Sequence, residues 1–80
     1  MHIYSIYDSK GHFYSTPFYS RNDDVATRDF SNVVMNEQNP MSRSKGDYSL
    51  YCLGTFDGDS GDYVIVADEK PVLVISGSDL

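Results

Sequence analysis

The chain gathers its aromatic residues into strand-like runs that are apolar or aromatic on both alternating faces, and nothing else in it constrains the fold as much. Seven Tyr and four Phe stand among 80 residues. Most lie within His2–Tyr7, His12–Tyr19 and Tyr48–Phe56. A strand points successive side chains to opposite faces, so one buried face needs only every second residue to be apolar. Here both faces are sticky, and the chain offers one helix to cover a sheet. The second face is left for a partner chain, a ligand or stacked nucleic-acid bases.

The order of elements follows from the change of period along the chain. His2-Ile3-Tyr4-Ser5-Ile6-Tyr7 is rich in β-formers, Asp8-Ser9-Lys10-Gly11 is a turn cluster, and His12-Phe13-Tyr14-Ser15 begins a second strand, together a hairpin signal. Pro17 cannot donate to a ladder, so this second strand lies at an edge or ends before it. Ser20 and Asn22 are both candidate N-caps, Asp23 and Asp24 suit the positive end of a helix dipole, and Ala26, Phe30, Val33 and Val34 follow at helical spacing. The pattern predicts a helix from about Asp23 to Glu37, ended by Asn39-Pro40. Residues 39–47 read as a long mobile loop. Tyr48–Phe56 is a third strand, Asp57–Gly61 a glycine-bearing hairpin turn, Tyr63–Val66 a fourth strand and Val72–Ile75 a last one. The expected fold is α+β: a mostly antiparallel sheet of four to five strands in the order ββαβββ, with one helix packed on one face. A single compact domain is expected over residues 1–76, with 77–80 a frayed tail.

Length and charge narrow the function. A domain of 80 residues supplies a core worth only about 3–5 kcal/mol, so oligomerisation would help it. Cys52 is the sole cysteine, which excludes an internal disulfide framework, and neither a basic-then-apolar leader nor a membrane-length apolar run is present. These features read as a soluble protein of a reducing cytoplasm. The net charge of −6, from 12 acidic and 6 basic residues, argues against coating duplex DNA by charge neutralisation alone. The basic residues are unevenly placed, however. Lys10, Arg21, Arg28, Arg43 and Lys45 all precede residue 46, whereas Asp57, Asp59, Asp62, Asp68, Glu69 and Asp79 crowd the last third, so a local positive surface can exist on an acidic protein.

Sites of chemistry are sparse. Asp57-Gly58-Asp59-Ser60-Gly61-Asp62 resembles the start of a calcium loop, and Asp68 falls at the twelfth position. But Gly61 stands where a third oxygen ligand is needed and Asp62 where the turn glycine belongs, so a hairpin turn explains the segment better. Cys52 would need His2 or His12 to activate it, and its place in an apolar strand suits a small packed hydrophobe instead. His2 and His12 can face each other across the hairpin, yet two histidines without a third ligand make no specific metal site. No phosphate loop, dinucleotide fingerprint or nucleophile elbow occurs. No catalytic residue, cofactor or metal is expected, and the protein reads as non-catalytic.

The aromatic residues carry the functional expectation. Tyr and Phe exposed on a sheet stack on nucleobases for about 1–3 kcal/mol each while nearby Lys and Arg hold phosphates. Tyr4, Tyr14, Tyr19, Tyr48 and Tyr51 are available for this, with Tyr14, Tyr48 and Tyr51 as the favoured stacking residues. Lys10, Arg21, Arg43 and Lys45 are candidate phosphate contacts. Arg28 is a weaker one, since it lies mid-helix where an i,i+4 pair with Asp24 is expected.

With these residues in view, the chain resembles the small nonstructural protein of gokushovirus-type microviruses, tailless phages with a single-stranded DNA genome. The resemblance rests on Tyr7-Asp8-Ser9-Lys10, Pro17-Phe18, Ala26-x-Arg28-x-Phe30 with Asn36, Asp47-Tyr48-Ser49-Leu50-Tyr51, and Leu53-Gly54-Thr55-Phe56-Asp57 with Ser60-Gly61. It spans about residues 3–61. Lys45-Gly46-Asp47 replaces the Pro-Glu-Asp common in that family, and Thr55 replaces a glutamate, which makes the chain locally less acidic. The resemblance implies a DNA-binding or replication role in an infected bacterium, whose cytoplasm is the expected location; with the stacking residues it points to single-stranded DNA as partner, and the uncovered sheet face points to a homodimer as the simplest assembly. An acidic module that docks on a host replication factor or viral partner without touching DNA is the competing expectation, favoured by the net charge.

Overall fold

A long antiparallel pairing between β1 (His2–Asp8) and β4 (Tyr48–Phe56) forms the spine of the molecule. The structure is a computed structural model that describes residues 1–65 and 70–80, and Val66, Asp68 and Glu69 of the expectations above lie outside the described residues. The other edge of β1 carries β2 (Phe13–Tyr14) beside its end and β3 (Phe18–Ser20) beside its start. The other edge of β4 carries β6 (Val72–Ser76) and β5 (Tyr63–Ile65) in the same way. Among the described residues six strands therefore fill four lanes of one antiparallel sheet. The expected α+β architecture is observed, and the count rises above five because the second run is split. Tyr7 opposes Tyr14 but Tyr4 opposes Phe18, so the edge gains a residue around Thr16-Pro17, where proline can neither donate nor continue the ladder.

Between β3 and β4 the chain forms α1 (Asp23–Val34). Of the two candidate caps Asn22 is the one used, its side chain accepting from the Val25 N–H at 2.9 Å. The helix ends at Val34, earlier than expected, because polar side chains take over the backbone bonds beyond it. Asn36 accepts from the Gln38 N–H at 3.0 Å, and Asn39 accepts from the Met41 N–H at 3.0 Å, an alternative to continued helix. Ala26, Phe30 and Val34 bury against Tyr4 and Leu50 to form the core. Val33, expected among them, is 37 % exposed; its position falls at the rim of the buried stripe.

Residues 39–47 are not the irregular loop expected. Pro40–Asp47 form a 3-10 segment, kinked at Ser44, with Asn39 as its cap and Pro40 in its first turn, where proline's missing N–H is harmless. It is stitched to the first hairpin, the Ser9 N–H donating to the Asp47 carbonyl at 2.9 Å. Residues 77–80, expected as a tail, make contacts of their own. Gly77–Asp79 form a second 3-10 turn, Gly77 is buried, Leu80 packs against the core, and the Lys45 ammonium donates to the Leu80 main-chain oxygen at 3.0 Å.

Two interactions tie these parts together. The Tyr4 hydroxyl donates to the Asp23 carboxylate at 2.6 Å, fixing the start of α1 over β1. Burial, then this hydrogen bond and the Asp23 charge, push the Tyr4 phenol well above its ordinary value. A phenol raised in the folded state keeps its full contribution below its unfolded pKa of about 10 and loses it as pH rises through the folded one. Urea midpoints should fall from about pH 10 upward, and Tyr4→Phe should lower the neutral midpoint while flattening the alkaline fall. The second interaction is a close approach. A Cβ at Gly77 would run into the Lys45 carbonyl oxygen and come within 2.9 Å of that of Tyr48, whereas one at Gly58 would meet nothing within 4 Å. Gly77→Ala should therefore cost about 2–4 kcal/mol in chemical denaturation, and Gly58→Ala should stay within about 0.5 kcal/mol of wild type.

Candidate nucleic-acid interface

Directly opposed residues of antiparallel strands project to the same face, so register decides which aromatic rings meet. Tyr4 opposes Cys52, Ile6 opposes Leu50 and Asp8 opposes Tyr48, and these six look toward α1. Ser5 opposes Tyr51, Tyr7 opposes Ser49 and also Tyr14, and these occupy the open face. Three tyrosines cluster there. The Tyr7 and Tyr14 ring centroids are 4.7 Å apart, Tyr14 and Tyr51 are 5.7 Å apart at 78°, and Tyr7 and Tyr51 are 6.1 Å apart at 84°. The two edge-to-face contacts with Tyr51 are favourable because the positive rim of one ring meets the negative face of another. Tyr14 remains 43 % exposed. Partial burial, and then Tyr51 and Tyr7, push its phenol up.

Beneath the cluster the backbone is held by serines. Ser5 is fully buried and donates to the Ser15 carbonyl at 2.7 Å, while the Ser15 hydroxyl accepts from the Ile6 N–H at 2.9 Å. The side chain of Ser15 thus supplies a ladder bond where the edge strand is broken. A second aromatic pair, Tyr19 and Phe56 at 5.7 Å, lies toward the other end of the sheet and with Met1 lines a shallow hollow of about 360 Å³.

The structure brings together two of the favoured stacking residues, Tyr14 and Tyr51, and separates the third. Tyr48 is on the helix side, packed against the core. Tyr4, another candidate, is fully buried and offers no ring to a ligand. Tyr7 completes the cluster and was not singled out from the sequence. Its signal was present, since in a hairpin closed over Asp8–Gly11 it falls beside Tyr14.

The cations are dispersed over the molecule. Lys10 sits in the β1–β2 turn, whose backbone is capped by the Asp8 carboxylate accepting from the Lys10 and Gly11 N–H groups at 3.0 and 3.1 Å. That turn adjoins the tyrosine cluster. Arg21 follows β3, at the far end. Arg28 lies on α1 and its Nε is 4.0 Å from Asp29, both largely exposed, rather than in the expected pair with Asp24. Arg43 is exposed in the first 3-10 segment. Lys45, beside it, is committed to Leu80. The acids Asp57, Asp59 and Asp62 form the β4–β5 turn at the far end, closed by Asp57 N–H to the Asp62 carbonyl at 2.8 Å, with Gly61 at φ 80°. The Asp59 N–H, donating to the Asp57 carboxylate at 2.9 Å, holds that carboxyl below its usual range.

The two histidines do not face each other. His2 opposes Ser20 and Thr55, whereas His12 lies in the turn at the opposite end of β1 with φ 61°. The Cys52 thiol is half-buried and donates to the Gly54 carbonyl at 3.6 Å. No cluster of three or more metal-ligating side chains occurs among the described residues. No helix of the described residues is long and apolar enough to cross a membrane.

The chain belongs to the Phage ORF5 protein family, whose family model matches residues 1–80. It is therefore a phage protein, and the match takes in the last 19 residues, for which the motifs above gave no pattern. No curated protein and no solved structure matches it.

Proposed function

We propose that this phage protein is the small nonstructural protein of a gokushovirus-type microvirus and binds single-stranded DNA without catalysis, in genome replication or the switch to packaging. The observation that carries the reading is the Tyr7–Tyr14–Tyr51 cluster on a sheet face that no helix of the described residues covers. Half-exposed rings there offer stacking surface to any base. Lys10, in the adjoining turn, would supply the nearest phosphate contact.

Fluorescence titration with oligo-dT and with duplex, at low and high salt, tests this. Tyr14→Ala and Tyr51→Ala should each weaken single-strand binding by about 1–3 kcal/mol at every salt concentration, while Tyr48→Ala, on the other face, should leave it unchanged. Lys10→Ala should reduce the salt slope by about 0.7. Absence of single-strand binding at about 50 μM protein and low salt would sink the reading.

The net charge of −6 favours a second reading, in which the protein docks on a host replication factor or viral partner and never contacts DNA. A pull-down from infected cells with and without nuclease separates the two. Partners that survive nuclease, with no nucleic acid recovered, would favour docking.

Assembly belongs to the same proposal. The accessible surface is 5474 Å², about 600 Å² more than a folded monomer of 9.0 kDa typically exposes. The excess approaches the roughly 800 Å² that each partner buries in a standard interface. The Met1–Tyr19–Phe56 hollow, with Tyr63 opposite Phe56 and 68 % exposed, is the apolar part of the open face clear of the tyrosine cluster and would form a two-fold seam. Light scattering should report about twice 9.0 kDa, and Phe56→Glu should return the mass to that of a monomer.

A further inference from the structure

On the helix side, away from the tyrosine cluster, two apolar depressions adjoin at Ile6. One, of about 270 Å³, is lined by Phe13, Met41 and Tyr48 with the Asp8 carboxylate. The other, of about 180 Å³, is lined by Phe18, Phe30 and Val33 with the Asp29 carboxylate. The depressions run between α1 and the broken edge strand. They stay open because α1 covers the centre of the sheet and stops at Val34, while the lane opposite is interrupted at Thr16-Pro17. The outer rims are exposed, Phe13 at 58 % and Val33 at 37 %.

We infer that this trench is a docking site for a short peptide segment of a host or viral protein that carries two apolar anchor side chains flanked by Lys or Arg. Charge selects the occupant. Among the described residues Asp8 and Asp29 are the only charged side chains that line the trench, one in each depression, on a chain of net charge −6. Arg28 stands 4.0 Å from Asp29 with both groups largely exposed, a pairing too weak to cancel that carboxylate for a partner. Phosphate is repelled by the same two acids, and a second copy of the chain would bring its own negative charge to them. Each depression is smaller than the roughly 300–1,000 Å³ of a pocket that engulfs a metabolite, which fits single anchor side chains of a longer segment. Pro17 and the broken edge remove the continuous row of backbone groups that strand addition requires, so anchoring falls to side chains. The trench gives the docking reading a surface, and it operates whether or not the open face takes DNA.

Selection of a random library of about 12-residue peptides on the immobilised full chain, followed by anisotropy titration of the labelled consensus, tests the inference. Enriched peptides should pair apolar anchors with flanking Lys or Arg and bind with a Kd of about 10 μM. Phe13→Ser and Val33→Ser, both at exposed positions, should each weaken binding at least about fivefold, and Asp29→Lys about tenfold. The same variants should bind oligo-dT as the wild type does, which keeps failure of the trench distinct from failure of the DNA reading. No enrichment, enrichment of acidic or uncharged peptides, or indifference to both Phe13→Ser and Val33→Ser would overturn the inference. A fall in mass by light scattering on Phe13→Ser, with no peptide binding, would assign the trench to a second copy and overturn it equally.

Discussion

The pairing of β1 with β4 decides which side chains at the centre of the sheet face α1 and which face away from it. Seven registers join the two strands, from His2 with Thr55 to Asp8 with Tyr48, with one irregularity between Ile3 and Tyr4. Over the regular stretch from Tyr4 to Asp8, even-numbered residues of β1 meet even-numbered residues of β4. The helix side thereby receives Tyr4, Ile6, Leu50 and Cys52, and the open side receives Ser5, Tyr7, Ser49 and Tyr51. A slip of β1 by one residue would turn its side chains over, burying Ser5 and Tyr7 under α1 and exposing Tyr4 and Ile6. Tyr4 secures the chosen register because its hydroxyl must reach Asp23, at the start of the helix that lies over it.

Much of this was legible in the chain, and the reasons differ by element. The strand at Tyr48–Phe56 was marked by continuous β-formers bounded by Asp47 and Asp57, and the start of α1 by Asn22 ahead of two aspartates. The C-terminal limit of α1 was not legible to the same degree, because residues 35–38 have no strong helix breaker. What stops the helix is a set of side-chain bonds from Asn36 and Asn39 that compete with the next turn. Residues 40–47 looked like a loop for the same reason: their composition is polar, while their order comes from long-range ties to Ser9, Leu80 and the backbone near Gly77. Local sequence carries no trace of those ties.

The tyrosines expected to stack show how parity outranks composition. Tyr48 and Tyr51 are separated by three positions on one strand, so they cannot share a face while that strand is regular. Treating both as partners of Tyr14 counted tyrosines without counting sides. Tyr7 was overlooked although it is directly opposite Tyr14 across the hairpin. The dispersal of Lys10, Arg21, Arg28 and Arg43 among a turn, a strand end, a helix and a 3-10 segment follows from topology, which sequence proximity in the first half of the chain could not supply.

Net acidity does not decide against single strands once the charges are located. Asp57, Asp59 and Asp62 lie in the turn after β4, and Tyr51 lies near that strand's other end. Six residues of strand at about 3.3 Å each put Asp57 about 20 Å from Tyr51. That distance exceeds the roughly 8 Å screening length at physiological ionic strength, so the acidic turn acts weakly on a base stacked over Tyr7, Tyr14 and Tyr51. The cations near the cluster are equally few, with Lys10 adjoining it and Lys45 held by Leu80. A strand bound on this face would therefore owe most of its affinity to ring stacking, which salt does not screen, and little to counterion release. Steep salt dependence is the signature of proteins that hold DNA by its phosphates. Here the arrangement of charge and rings calls for a shallow one.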